Sequence, residues 1–556
     1  GARCAGPRWR LRAGCLRKSV RRRAWCPVIK PPGNEENMAS TFFGLTISYS
    51  GLQAASTSLN VTGHNVSNIN TKGYSKQQAS TEAAQALRTF STYGMLGAGV
   101  KVTGVSQLRD SYYDEKYRNN QANYGEYEAK ENYMDQIEDF FDEWNLNGYC
   151  KEYQKFFTSV EEVIKAPGEA STKNQLINNA ASMAQYFNTL STNLRKIQED
   201  ANNEIKDAVE QINSYAQNIA SLNRQINQIE ANYGDANDLR DKRNALIDDL
   251  AQIVNVSINE EDIGNGLTDF RVSINGQTLV AGYDYNKLYT EARADKRNAS
   301  DAAALYDVKW ESGQNFNLYS PSLGGQMKAL VDIRDGCNGE FEQYKVDENG
   351  DYILDSDGNK VLESVLRNEQ NTDFKGIPYY QSQLNQFIST LSESVNNVLK
   401  SGLTSDGTQH GISLFVTQTN TDTMTALNIT VNPELVKDAD KLATRSSAAT
   451  GQAEADIMEQ LRKLQSEKIF DGGTGAYFLE SMVSDMSIDS SNATNMLDNY
   501  NNLRTTIQNQ RLSIMGVDTD EEAMDMMKFQ QAYNLNSKMM SVMNEIYDKL
   551  INGTGL

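Results

Sequence analysis

Leu45, Leu52, Leu59 and Val66 recur every seven residues, and Phe42 and Tyr49 fall three residues ahead of the first two. That spacing draws one apolar seam along a helix. Gly44, Gly51 and Ser58 run beside it, also at sevens, as a strip where another backbone can come close. Each interior glycine costs an isolated helix about 1 kcal/mol relative to alanine, so this helix needs partners. At the other end of the chain Ala532, Leu535, Met539, Val542 and Ile546 step by three and four, with Leu550 beyond them and Gly553 as the stop. Asp518 and Thr519 suit a helix N-cap, and Thr519 with Glu522 has the spacing of a capping box. The expectation is that the two ends pair. Leu45, Leu52, Leu59 and Val66 would then meet Leu535, Met539, Val542 and Ile546 in an assembly interface. Two amphipathic helices in separate bundles are the alternative that the pattern leaves open.

The middle of the chain is mostly helical. Tyr113, Tyr117, Tyr124, Tyr127, Met134, Ile137 and Phe141 keep a broken helical stripe, read as core. After Pro167-Gly168 a helix restarts near Ser171, and a sustained heptad follows: Ile205, Ile212, Ile219, Ile226 and Tyr233 in one position, Ala208, Tyr215, Leu222 and Ile229 in the other. The next helix, Asn237–Ile253, carries Asp238, Arg240, Asp241, Arg243, Asp248 and Asp249. Charges so interleaved read as surface ion pairs rather than a metal or acid/base site. From Val254 the period changes to two, with Asn275-Gly276 as a hairpin turn, which predicts an inserted β domain. Helices return at Gly324–Arg334 and Tyr379–Leu399. Between them Asp347, Asp351, Asp355 and Asp357 lack the spacing of a calcium loop, and the stretch reads as a β-hairpin.

The residues around the first seam carry a resemblance. Gly51–Gln77, GLQAASTSLNVTGHNVSNINTKGYSKQ, is similar to the N-terminal signature of the bacterial flagellar axial proteins, the rod, hook and hook-associated proteins, through His64, Asn65, Asn68, Gly73 and Tyr74. Gly516–Leu550 resembles the other end of the same family. Asn237–Ile258, leading to Val272–Gly282, resembles its hook–filament junction members. The likeness runs over nearly all of Met38–Leu556, with an extra segment near 338–373. It implies a mainly α protein with inserted β domains (α+β), an elongated discontinuous helical bundle with a β-rich outer domain. The implied division is a terminal coiled-coil domain (38–75 with 516–556), a helical bundle (76–250, 323–336 and 376–515), a β-rich outer domain (251–322) and a β-hairpin insertion (337–375). It also implies a structural role at the junction of hook and filament, outside the cell. The subunit would be exported unfolded by the flagellar type III apparatus and would self-associate into a ring. Its partners would be the hook protein, the next junction protein and an export chaperone on the C-terminal helix.

Composition narrows the function classes. The first 37 residues hold ten lysines and arginines against two glutamates, three of the five cysteines and two of the four tryptophans. They lack the continuous apolar core of a cleaved signal peptide and read as a non-native or mis-annotated extension. Without them the formal charge of −20 becomes −28, which repels nucleic acid. No apolar run is long enough for membrane insertion. Cys150 and Cys337 alone remain, too few for a disulfide framework or a four-cysteine zinc site, and whether they pair stays open. No cofactor or metal is expected. The Gly-rich Gly94–Val105 lacks the Lys-Ser/Thr of a phosphate loop and reads as a short hairpin or extended segment. His64 and His410 sit in unrelated contexts, and neither HExxH nor GxSxG occurs. A structural subunit is therefore favoured. The alternatives are another axial protein, of hook or filament type, or an axial protein carrying an enzymatic insert.

Overall fold

The computed structural model describes residues 43–553 apart from 89–94, 147–148, 233, 265, 299, 338–342, 345–361, 365–373, 405, 420–422, 448–453 and 471–472. The basic segment 1–37, Tyr233 and most of the expected hairpin insertion lie outside the described residues. In chain order α1 (Phe43–Ser67) leads to β1 (Gln77–Ala83), β2 (Leu87–Arg88), β3 (Met95–Leu96) and β4 (Val100–Gln107). Four helices follow: α2 (Ser111–Leu146), α3 (Tyr149–Lys165), α4 (Ala170–Glu230) and α5 (Asn237–Ile253). Then come β5 (Val256–Gly264), β6 (Leu267–Ile274), β7 (Gln277–Ala281), β8 (Asp284–Tyr285), β9 (Leu288–Ala292) and β10 (Tyr306–Trp310). The rest comprises α6 (Gln326–Asp335), β11 (Gln343–Tyr344), β12 (Leu362–Ser364), α7 (Ile377–Lys400), β13 (Leu403–Thr404), β14 (Phe415–Thr417), β15 (Ile429–Val431), α8 (Pro433–Lys437), β16 (Ala443–Arg445), α9 (Asp456–Lys463), α10 (Gly475–Met515) and α11 (Thr519–Asn552). The protein is mainly α with inserted β elements, as expected.

The chain forms two compact units. The smaller holds the chain up to Gln53, Glu82–Lys101 and the chain from Asn534; the larger holds Ala54–Thr81 and Val102–Tyr533.

Within the larger unit α4 is one helix of 61 residues, about 90 Å at 1.5 Å per residue. The two sequence patterns on either side of residue 200 are thus parts of one rod. Its heptad residues Ile205, Ile212, Ile219, Ile226 and Ala208 are buried, whereas Ile229 is exposed. The β region packs along it through both core and polar contacts. β5–β8 make a four-stranded antiparallel sheet, turned at Asn275-Gly276, where φ is +48° and +74°, the conformation expected of this pair in a tight hairpin. Val272, Ile274, Leu279 and Val280 join the apolar core of the helices.

Amides on α4 then satisfy the backbone of the β region. Asn223 Nδ2 donates to Gly282 O, and Asn227 both donates to Thr268 O and accepts from Thr268 N. Asn213 does the same with Leu288, and Asn202 Oδ1 accepts from Tyr306 N. Buried strand ends need such partners, which explains asparagines at buried positions of a helix.

α2 packs lengthwise on α10, with Tyr127 stacked on Tyr500 and the Arg504 guanidinium over Tyr124. The expected tyrosine core of α2 is only half right. Met134, Ile137 and Phe141 are buried, but nearer the start of the helix the buried side chains are polar or small: Asp114, Arg118, Asn120, Gln121, Ala122, Glu126, Ala129 and Lys130. Ion pairs with neighbouring helices make that burial tolerable, and Tyr113, Tyr117, Tyr124 and Tyr127 sit half-buried at the flank.

In the smaller unit the start of α1 lies against α11. A Cβ placed on Gly44 would stand 2.9 Å from Met543 Cε, and one on Gly51 2.7 Å from Asn536 Oδ1. Gly99, at φ +98°, lets the chain before β4 approach α1, where Val100 N donates to Ser50 Oγ.

Candidate functional site

The last turns of α1 and the loop after it are mostly polar, and several of these residues have specific partners. Asn68 Nδ2 donates to His64 O and its Oδ1 accepts from Thr71 Oγ1, which closes the turn. Gly73, at φ +80°, passes close to α5, where a Cβ would meet Ala245 Cβ at 3.0 Å. Tyr74 is thereby returned beside α1. Its hydroxyl donates to Asn65 Oδ1 (2.8 Å) and lies 2.9 Å from His64 Nδ1. The single phenolic proton is used on Asn65, so His64 Nδ1 carries a proton and donates to the tyrosine oxygen. Burial and the surrounding carboxylates, led by burial, push the Tyr74 phenol well above its ordinary range. The other imidazole nitrogen faces Asp238 at 3.6 Å.

Asn65 is buried and uses every polar atom. Its Oδ1 also accepts from Gln77 N, and its Nδ2 donates to Gln77 O (2.9 Å) and to Glu522 Oε1 (3.1 Å). Glu522, only 1% exposed, belongs to the first turn of α11 and also pairs with Lys76 at 3.2 Å. Burial alone would lower the Lys76 ammonium, but Glu521 and Glu522 outweigh it and raise it. The backbone of Lys76 ties two further elements: its N–H donates to Met515 O at the end of α10, and its O accepts from Leu108 N. The capping box expected at α11 does not form. Asp518 Oδ1 takes the N–H groups of Asp520 and Glu521, and Glu522 turns away to Asn65 and Lys76.

A chain of alternating charges continues inward. Asp241 on α5 accepts from Ser75 N (2.9 Å) and Ser75 Oγ (2.7 Å), and Arg109 reaches it at 3.2 Å. Arg109 also holds Asp114, which is held in turn by Arg511 of α10; Arg511 reaches Asp248, and Asp248 reaches Arg118. Burial raises the Asp241 carboxyl despite these partners, whereas at Asp114 the guanidinium groups outweigh burial and hold it below the usual range. The expectation of surface ion pairs on α5 holds for Asp249, which pairs with exposed Lys72, and is corrected for Asp241 and Arg243. Asp241 is 5% and Arg243 2% exposed, because α5 is clamped between α2, α4 and the sheet, with Arg243 stacked 3.6 Å over Phe270.

The structure therefore brings His64, Asn65, Asn68, Gly73 and Tyr74 into one knot. It does not gather the eight apolar seam residues in the same way. Leu45, Leu52, Leu59 and Val66 are half-buried; Leu535, Met539, Val542 and Ile546 are 66%, 50%, 43% and 49% exposed. The covered row of α1 lies one residue over: Ser48, Ala55, Ser58, Thr62 and Asn65, in heptad register with Gly44 and Gly51. On α11 the less exposed row is likewise shifted by one, to Asn536, Met540, Met543 and Tyr547. Adjacent rows differ by 100° of helix, and apolarity alone does not say which of them faces the chain's own partner. Small side chains decide it, since they permit closer approach.

Lys76, Asp114 and Arg511 were not singled out from the sequence, and Asp241 and Glu522 were read there in other roles, a surface ion pair and a capping box. Arg511 had a signal: it falls four residues from both Ile507 and Met515, a charge within a buried row. The arrangement is a clasp, with carboxylates that are paired. Among the described residues no group of three or more His, Cys, Asp and Glu is placed to hold a metal ion, and no helix is long and apolar enough to cross a membrane.

Comparison with known proteins bears on the same segments. Residues 45–74 match the family model for the flagella basal body rod protein, and 508–553 that for the flagellar basal body rod FlgEFG protein C-terminal region. Flagellar hook-associated protein 1 of Bacillus subtilis (strain 168) is 28% identical over 537 residues, covering 93% of this chain and 99% of that one. The protein of that name from Escherichia coli (strain K12) is 26% identical over 554 residues, covering 90% and 98%. A solved structure of the flagellar hook junction protein FlgK from Burkholderia pseudomallei aligns over 55% of this chain and 46% of its own at 19% identity and a TM-score of 0.40, too distant to carry an argument. Residues 134–415, half of the chain, match the family model for the flagellar hook-associated protein FlgK helical domain, and the chain belongs to that family.

Proposed function

We propose that this protein is a structural subunit at the junction between hook and filament of the bacterial flagellum, joined to its neighbours through its terminal helices. The observation that carries this reading is the outward row of α11. Leu535, Met539, Val542 and Ile546 lie on one face, each more than two-fifths exposed, beside the row that meets the chain's own α1. A helix with two seams, one used within the chain and one left apolar, suits a subunit that packs against copies of itself. Leu45, Leu52, Leu59 and Val66, half-buried on α1, would complete the contact.

The finer parts of the reading follow from family membership and this architecture. The subunit closes into a ring outside the cell, between the hook protein and the next junction protein. It passes through the type III apparatus unfolded, with a chaperone covering the C-terminal helix and its exposed row. The terminal segments 38–75 and 516–556 act as the assembly domain, the helical body as its support, and 251–322 as a β elaboration packed on that body. The role is structural rather than catalytic, and the net charge of −20 disfavours nucleic acid as a partner.

The test is Leu535→Asp combined with Val542→Asp. Both positions are exposed in the free chain, so its melting temperature should stay within about 2 °C of the parent, the scale of surface changes. In cells lacking the native protein the variant should be secreted but should leave hooks without filaments, with filament subunits in the medium. Normal filaments on those cells would sink the assembly reading.

A further inference from the structure

Away from the clasp, one buried cluster is not absorbed by the assembly reading. Lys130 on α2 places its Nζ 2.7 Å from Asp332 Oδ2 on α6 and 2.7 Å from Glu126 Oε1 one turn back on its own helix. All three side chains are more than nine-tenths buried. The ammonium lies against aromatic walls, 4.7 Å from the Phe374 ring centroid and 5.4 Å from that of Tyr127. Asp332 Oδ1 is buried and accepts no hydrogen bond. An ion pair alone leaves that oxygen costly, because a desolvated carboxylate oxygen without a donor forfeits its hydration. Lys328 stands 3.3 Å from Glu126 at the rim and keeps that carboxylate in place.

We propose that Lys130 and Asp332 condense into an intramolecular isopeptide bond, with Glu126 as the proton carrier. An amine hydrogen-bonded to one oxygen of a carboxyl group is close to its carbon, and about 3–3.5 Å is the separation from which such bonds form. Transfer of one proton within the Lys130–Asp332 hydrogen bond gives a neutral amine and a neutral acid without changing the charge of the site. Burial favours this form at Asp332, whose carboxyl it raises. The two carboxylates work the other way at Lys130, where they outweigh burial and raise the ammonium, so the neutral pair is a minor state and condensation is slow. The Nζ lone pair attacks Cγ and the N–C bond forms. Glu126 takes a proton from the nitrogen and delivers it to the departing oxygen, the C–O bond breaks, and one water molecule leaves. No oxidant, reductant or activating group is consumed. The product is a neutral amide whose N–H donates to Glu126. It exchanges a buried ion pair for a covalent tie between α2 and α6, which pack against each other.

The test is the intact mass of the full-length protein, purified folded, followed with time and after tryptic digestion. The expected result is a loss of one water and a branched peptide joining the segment with Lys130 to that with Asp332. Lys130→Arg and Glu126→Gln, made separately, should both keep the full sequence mass. Parent protein that stays at full mass after prolonged incubation overturns the proposal, even if neither variant folds. So does a dehydrated parent whose digest contains no branched peptide, or a Lys130→Arg protein that loses water equally.

Discussion

Asn65, near the end of the first helix, hydrogen-bonds Glu522, in the first turn of the last helix, at 3.1 Å and out of reach of water. The two residues lie 457 positions apart, so this contact joins α1 to α11. It does so with polar atoms, where the sequence pattern had pointed to leucines. A buried amide that uses all its donors and acceptors fixes direction and register more tightly than an apolar contact does, because partial satisfaction is penalised.

Asn65→Ala should therefore loosen the clasp more than its size suggests. It removes partners from the Tyr74 hydroxyl, Gln77 N, Gln77 O and Glu522 together, and each buried group left bare costs about 1–3 kcal/mol. Hydrogen exchange should show protection lost at Gln77 and across the first turns of α11, with α4 unchanged. Unaltered protection at Gln77 would mean that the amide is not what holds the segment.

Arg511→Ala tests the inner charges. It takes one of two guanidinium partners from buried Asp114 and from half-buried Asp248, which keep Arg109 and Arg118, so the cost should lie below the about 3–5 kcal/mol of a buried pair broken outright. The urea midpoint of the larger unit should fall accordingly. A shift below about 1 kcal/mol would place these charges among ordinary surface pairs.

The same cluster sets an acid limit. Burial by itself would raise the Asp114 carboxyl, but Arg109 and Arg511 outweigh it, so the folded value lies below the unfolded one, about 3.9. For a depressed carboxyl the stabilisation is complete above the unfolded value and is lost as pH falls through the folded one. The stability gap between the parent and Asp114→Asn should thus be constant from about pH 7 to 5 and narrow below about pH 4. A gap that widened in acid would reverse the assigned sign.

Gly51→Leu separates helix propensity from packing. Leucine improves an isolated helix by about 0.8 kcal/mol over glycine. At this position its Cβ alone would stand 2.7 Å from the Asn536 side chain, so that amide must swing aside and the rest of the leucine pushes α1 and α11 apart. Slower motility and faster hydrogen exchange beyond Asn534 are expected. A variant that swims as well as the parent would show that close approach here is dispensable.

Much of the architecture was written locally. The heptad of α4, the change of period at Val254, the Asn275-Gly276 turn and the extents of α5, α6 and α7 each follow from spacings of a few residues, which need no knowledge of distant neighbours. The signature residues His64, Asn65, Asn68, Gly73 and Tyr74 were also visible, though not their purpose. What only the tertiary structure decided is which of two adjacent helical rows turns inward, and which charges are buried. Leu52 and Gly51 are neighbours in sequence, and only the approach of Asn536 assigns the inner place to the glycine. Asp241 and Asp248 share one helix with the same composition around them, yet their partners, Ser75 and Arg109 for one, Arg118 and Arg511 for the other, come from segments far apart in the chain. A charge pattern states which groups seek partners; burial, which makes that search energetically decisive, is a property of the folded whole.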